Sequence, residues 1–154
     1  MKVAISLRLA NDDWARASDW VTEAERLGVD CVWSAEAWGH DAVTPLAFLA
    51  ARTTRIGLGS GIMQAGTRTP ALIAMTAMSL ASMSGGRFRL GLGVSGPQVI
   101  EGWHGIEFDR PVQRMRETAE IVRRAVRGGA AGVLGLRVHA AAAGRRGQGA
   151  PLRG

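Results

Sequence analysis

Apolar positions along this chain come in two textures. Short apolar runs occur at Val3–Leu7, Cys31–Trp33, Ile56–Ile62 and Phe88–Val94. Between them lie longer stretches in which apolar residues recur every three or four positions. The first texture predicts strands buried on both faces, and the second predicts amphipathic helices. After Val3–Leu7, Asn11 or Asp12 is placed to cap a helix. Trp14, Ala17, Val21, Ala24 and Gly28 then fall at helical spacing, with Gly28 as the stop. Thr44-Pro45 reads as a cap followed by a first-turn proline, opening a helix over Leu46–Thr53. Thr69-Pro70 repeats that signal after a loop at Met63–Arg68. It opens a helix over Ala71–Met83, with Leu72, Met75, Ala77, Leu80 and Met83 as the expected buried positions and Gly85-Gly86 as the stop. A fourth helix is expected over Pro111–Arg127, with Val112, Met115, Ala119 and Val122 on one face.

The predicted strands begin near residues 3, 31, 56 and 88, and each is followed by a helix. Strand–helix units in series imply an α/β protein with a parallel sheet and right-handed crossovers. Two architectures use this unit, the doubly wound open sheet and the TIM-type (β/α)8 barrel. A dinucleotide fold usually carries its glycine fingerprint after the first strand, but here Arg8-Leu9-Ala10-Asn11 follows it. Gly91-x-Gly93-x-x-Gly96 matches the pattern formally, yet its first two glycines lie inside the fourth strand and Pro97 comes directly after. Glycine weakens a strand, so the runs I-G-L-G-S-G-I and F-R-L-G-L-G-V suggest that something approaches the backbone closely. Both run into the C-terminal ends of their strands, where α/β folds bind ligands.

The chain has 154 residues, 47% of them hydrophobic, enough for one domain with a core. A single cysteine, Cys31, excludes an intramolecular disulfide framework and fits a reducing compartment. The start is too soon interrupted by Arg8 and Asn11 for a signal peptide, and no apolar run reaches membrane-spanning length. The expectation is a cytoplasmic protein with no membrane partner. The net charge of +6 is uneven. Residues 1–120 hold 12 Lys/Arg against 13 Asp/Glu, whereas residues 121–154 hold 7 Arg and no acid. The basic excess therefore belongs to the tail, where the lack of lysine and of interleaved aromatics argues against nucleic acid as a partner.

Four pieces carry a resemblance. W-S-A-E-A-W-G-H-D ends the second strand and I-G-L-G-S-G-I the third. R-T-P-A pairs with S-G-G-R-F-R-L-G-L-G-V-S-G-P-Q, and E-G-W precedes an R-x-R-E helix. In this order they resemble the luciferase-like superfamily of flavin-dependent oxidoreductases, and most of all its branch that uses the deazaflavin coenzyme F-420. The resemblance covers about residues 1–128. It implies an eight-stranded barrel with the coenzyme at the C-terminal ends of the strands. It also implies hydride transfer between reduced coenzyme and a small-molecule substrate, or flavin-assisted monooxygenase chemistry with FMN as the alternative cofactor.

The same resemblance implies roles for individual residues. The family's third strand carries a non-prolyl cis peptide in a bulge behind the cofactor ring, and Gly61-Ile62 falls at that position. Ser95 and Gly96 fall where a hydroxyl and bare backbone amides can contact the cofactor. Glu36 matches an acid lining the pocket and is a candidate for proton chemistry. Read without the family, it is a surface carboxylate or the partner of a nearby arginine. Many members follow that acid with a histidine, whereas this chain has Ala37, and His40 comes three residues later. His40 either reaches the pocket or faces solvent. Trp38 could wall a substrate site, and Glu101, Trp103 and His104 fall near its entrance. No metal site is expected. The methionines of Ala71–Met83 read as core or subunit interface, and Cys31 as a buried small hydrophobe.

A barrel of this kind takes about 250 residues. The resemblance thus implies the first four units of a truncated barrel. Past Gly128 the chain has no acids, no helical periodicity and almost no bulky core residues. The expectation is a domain over 1–128 and a basic Ala/Gly/Arg-rich tail over 129–154, disordered or read in a shifted frame, with no fifth strand. Four strands alone leave open edges, so a homo-oligomer is expected. The alternative to an enzyme is a non-catalytic remnant that associates with itself or with a full-length relative.

Overall fold

The computed structural model describes residues 1–7 and 13–128, together with the backbone of 137–140. The elements are β1 (Ala4–Ser6), α1 (Trp14–Arg26), β2 (Cys31–Ser34), α2 (Val43–Ala50), β3 (Gly57–Ser60), β4 (Met63–Gln64), α3 (Pro70–Met83), β5 (Phe88–Gly93), α4 (Pro97–Ile100), α5 (Pro111–Gly128) and β6 (Arg137–Ala140). All strand pairs are parallel, in the order β1-β2-β3-β5-β4, with β6 on the other side of β5. Helices cover one face of this sheet. Val32, Leu58, Leu90 and Leu92 from the strands meet Val21, Leu46, Ile73, Ala77, Leu80, Met115 and Val122 from the helices in one core. No helix among the described residues is long and apolar enough to cross a membrane.

Several local expectations are corrected. β1 is not buried on both faces: Ala4 and Ser6 are exposed, because among the described residues β1 is an edge strand paired with β2 alone. The cap of α1 is Asp13, whose carboxylate accepts from Arg16 N at 2.9 Å. Asn11 and Asp12 lie outside the described residues. Thr44 is not the cap of α2. The helix starts at Val43, two residues before Pro45, because Asp41 Oδ1 accepts from both Val43 N and Thr44 N at 2.7 Å. Ser95-Gly96 leads into the single turn α4 rather than an open loop. On α3 the buried set is Ile73, Ala74, Ala77, Leu80 and Ala81, while Leu72, Met75 and Met83 face out. On α5 Val112 is exposed, and Thr118 and Val126 join Met115, Ala119 and Val122 inside. Beyond Gly128, where no strand was expected, the backbone of β6 pairs with β5 from Arg89↔Arg137 to Leu92↔Ala140. The rest of the 129–154 tail lies outside the described residues.

The N-terminal ends of the strands are stitched by side chains. The Arg87 guanidinium donates to Thr53 Oγ1, Thr53 O, Ile56 O and Ala50 O at 2.8–3.3 Å, and its Nε donates to Ser84 O at 2.7 Å. One carboxylate oxygen of Glu25 accepts from Thr54 N, Arg55 N and Ile56 N at 2.9, 2.6 and 2.8 Å, tying α1 to the turn before β3. Burial pushes the Glu25 carboxyl upward, but these three amides and the charge of Arg55 hold it below its ordinary 4.5. A carboxyl with a lowered value in the folded state stabilises the fold above its unfolded value, and that contribution is lost as pH falls through the folded value. Urea titrations of the native chain and of Glu25→Gln should therefore differ at neutral pH and converge below 4.5. A gap that stays constant down to the acid limb would show that the carboxylate has no such linkage.

Cys31 is buried and free, and burial pushes its thiol above the ordinary value, so it behaves as a small apolar side chain.

Candidate active site

The third strand is broken at its C-terminal end. Gly59 lies opposite Arg89 and Met63 opposite Leu92, so four steps along one strand match three along the other. The extra residue makes a bulge. At this point Met63–Gln64, expected as loop, continues the strand as β4, and the Gly61–Ile62 peptide is cis. Gly61 N donates to Ser34 O at 2.7 Å, and Glu36 N donates to Ile62 O at 3.1 Å, so the end of β2 holds the bulge from one side.

The glycine runs are explained from within the chain. A Cβ on Gly59 would strike the Trp33 indole, and one on Gly91 would strike the Ser60 carbonyl oxygen. A Cβ on Gly93 would lie 2.6 Å from Ile62 Cγ1. The close approach that the glycines announce is therefore made by Trp33, Ser60 and Ile62, on the sheet face away from the helices. The expected close approach to the strand backbone is thus observed, and the chain itself supplies it.

Glu36 sits at the centre of the site, only 9% exposed. Arg68 grips it with both ends of its guanidinium, Nη1 on Oε2 and Nη2 on Oε1, each at 2.7 Å. Gln64 N donates to Oε2 at 2.9 Å and Ala42 N to Oε1 at 3.1 Å. Of the roles open to Glu36 in the sequence, the arginine partner is the one observed. The carboxylate joins the loop after β2, the start of α2, the bulge and the loop before α3. Asp41 completes the same corner: burial pushes its carboxyl up, but the amides and hydroxyl of Thr44, the Val43 amide and the nearby Arg68 bring it below its ordinary value.

A cleft of about 250 Å³ opens over this corner, lined by Glu36, His40, Gln64, Arg68, Trp103 and His104 among others. His40 is exposed and packs edge-on against Trp14, with ring centroids 5.2 Å apart. Trp38 is 59% exposed and meets Trp103 edge-on at 5.9 Å on the rim. Glu101 is turned to its own loop, where Oε1 accepts from Phe108 N at 3.1 Å. Ser95 and Gly96 are half-buried at the end of β5, outside this cleft, with Ser95 at φ 59 in the left-handed region. The structure thus brings Glu36, His40, Trp103 and His104 into one cleft and ties the Gly61–Ile62 bulge to it, with Ser95 and Gly96 on a separate strand end.

Three residues of the site had no role in the sequence reading: Arg68, Gln64 and Trp33. Arg68 opens the R-T-P-A piece of the resemblance, and the reading of Glu36 as the partner of a nearby arginine was a further hint. Gln64 is 1% exposed, and its Oε1 has no hydrogen-bond partner among the described residues. Among the described residues no group of His, Cys, Asp and Glu could hold a metal ion. The exposed Gly61 backbone, the half-buried Ile62 and the unpartnered Gln64 oxygen beside them fit a planar ring with a hydrogen-bonding edge.

A Mycobacterium tuberculosis protein that carries the provisional name coenzyme F-420-dependent oxidoreductase is 51% identical over 107 residues, 70% of this chain and 31% of that protein. The 5,10-methylenetetrahydromethanopterin reductase of Archaeoglobus fulgidus is 36% identical over 110 residues, 71% of this chain and 33% of that protein. The crystallised coenzyme F-420-dependent tetrahydromethanopterin reductase of Methanopyrus kandleri superposes with a TM-score of 0.72 at 24% identity, over 83% of this chain and 41% of that one. The chain spans about a third of the length of the curated relatives it matches. The match to the family of luciferase-like monooxygenases runs over residues 1–148, past Gly128 and through β6. The parallel strand–helix units are those of a TIM-type barrel, and the chain belongs to the luciferase-like monooxygenase family.

Proposed function

We propose that this chain forms the coenzyme-facing bulge and one wall of the substrate cleft of a deazaflavin-dependent oxidoreductase, with coenzyme F-420 as the ligand. The observation that carries this reading is the Gly61–Ile62 bulge with the unpartnered Gln64 oxygen beside it. The names of the two sequence relatives point the same way. When bound, the reduced coenzyme supplies a hydride to a small organic substrate. Gly61 and Ile62 support one face of its ring, and Ser95 and Gly96 contact it from the end of β5. Trp38 and Trp103 exclude water from the rim and give a flat substrate an apolar wall. Both oxygens of Glu36 are taken by Arg68 and by two backbone amides, so Glu36 positions the site, and His40 on the cleft wall is the candidate for proton transfer. Titrating the purified chain with oxidised coenzyme F-420 should quench coenzyme fluorescence saturably, with Kd in the micromolar range, and FMN should bind more weakly. No saturable change up to millimolar coenzyme would refute this reading for the chain.

The exposed edge of β1 favours a second property, self-association. Its outer hydrogen-bonding groups face no other described strand, and Val3 beside it is 42% exposed. Open strand edges recruit further strands. Sedimentation equilibrium should show a dimer at micromolar concentration, and a mass that stays monomeric across that range would overturn this.

A further inference from the structure

We infer that Gln64 reads the imide edge of the coenzyme ring, its side-chain amide pairing with the ring N–H and the carbonyl next to it. This rests on the coenzyme reading above and adds the residue that recognises the ring. The argument starts from register. Met63 lies opposite Leu92, and both are fully buried in the helix-covered core. Gln64 lies opposite Gly93, and successive strand residues point to opposite faces, so Gln64 projects to the inner face beside Ile62 and the bulge. There it lines the cleft and is 1% exposed, yet its Oε1 accepts no hydrogen bond from any described residue. A buried amide oxygen without a donor is destabilising, and native proteins rarely leave one so.

Four of the neighbouring donors are committed elsewhere. Both Nη atoms of Arg68 go to Glu36, and the Gln64 backbone N goes to Glu36 Oε2. The Thr67 hydroxyl donates to the Gln64 backbone oxygen at 3.4 Å. A donor on a bound molecule would satisfy this oxygen. The charges nearby are also matched: Glu36 is paired with Arg68, and Asp41 is held by the start of α2. A neutral N–H suits this oxygen better than an ammonium or an acid. A primary amide offers an acceptor and a donor side by side, the complement of an imide N–H flanked by carbonyls. The pyrimidine half of a flavin or deazaflavin ring carries that pattern, and the bulge is where the proposed ring rests.

The test compares coenzyme F-420 with its analogue methylated at the imide nitrogen, by fluorescence titration of the full chain. The native chain should bind the methylated analogue at least tenfold more weakly. Gln64→Met, which keeps the volume and removes the amide, should bind the unmodified coenzyme about tenfold more weakly and discriminate the two ligands less than threefold. Equal affinity of the native chain for both ligands would overturn the assignment and leave the coenzyme reading standing, as would full discrimination by Gln64→Met. Failure of the native chain to bind either ligand would remove both. Should Gln64→Met fail to give a cooperative melt, the two ligands on the native chain decide the question, since that comparison needs no variant.

Discussion

Arg68→Met should destabilise the chain by about 3–5 kcal/mol, the range for removing one partner of a buried ion pair. The effect does not come from the attraction alone. Glu36 is almost fully enclosed, with a side-chain exposure of 6%, and the guanidinium that meets both of its oxygens is itself only 19% exposed. Without Arg68 a buried carboxylate keeps two backbone amides and no countercharge. The methionine retains much of the apolar stem, so the loss isolates the charge. Urea denaturation at neutral pH measures it. Combining Arg68→Met with Glu36→Gln should recover part of the loss, because the glutamine carries no charge and its one carbonyl oxygen still accepts from one of the two amides, Gln64 N or Ala42 N. A loss below about 1 kcal/mol, the size of an exposed ion pair, would show that the pair does not hold the loops together.

Gly91→Ala should be the second most damaging substitution, costing about 3 kcal/mol or more, at the upper end of the overpacking range. The added carbon would meet the Ser60 carbonyl oxygen, which is backbone and cannot rotate away. Ser60 also grips Gly91 from both sides: its hydroxyl donates to Gly91 O and accepts from Gly91 N, each at 2.9 Å. Separating the strands to admit a methyl group would break this bridge along with the ladder. Gly128→Ala is the control. It meets nothing within 4 Å at the end of α5, and should be neutral or mildly stabilising, by up to about 1 kcal/mol. Thermal melts of the two variants side by side would separate crowding at the strand from the general effect of replacing a glycine; equal midpoints would contradict the argument.

The succession of strands and helices was legible because periodicity and punctuation agree. Gly28 stops α1 at φ 86, and Gly85 and Gly86 stop α3 at φ 61 and 83, conformations that few other residues accept. Burial was legible only where a helix has a polar face. α3 has no charged residue and only the small Thr76, Ser79 and Ser82 on its outer side, so its pattern marks the inner side weakly, and the small Ala74, Ala77 and Ala81 go inward while Leu72, Met75 and Met83 remain out. Helix starts were misplaced where a side chain beyond the expected cap took the free amides, as Asp41 does for α2. The site was legible in its strand ends and illegible in its contacts. Glu36 and Arg68 are 32 positions apart, and no local spacing announces their pairing. The burial of Gln64 depends on β4 continuing the sheet past the bulge, a matter of register with β5. Trp33 could not be recognised as the reason for Gly59 until the two were seen side by side at Trp33↔Gly59.

Arg87 and Glu25 knit the N-terminal ends of the strands through eight hydrogen bonds to backbone or hydroxyl groups, with no partner in the loops that carry Glu36, Gln64 or Trp103. The chain is therefore modular from end to end. Its loops between β2 and α2 and between β4 and α3 are exchangeable parts, provided the pair at 36 and 68 travels together. Grafting both segments as a unit from a relative is a route to new specificity on an unchanged frame, whereas grafting either one alone would strand half of an ion pair.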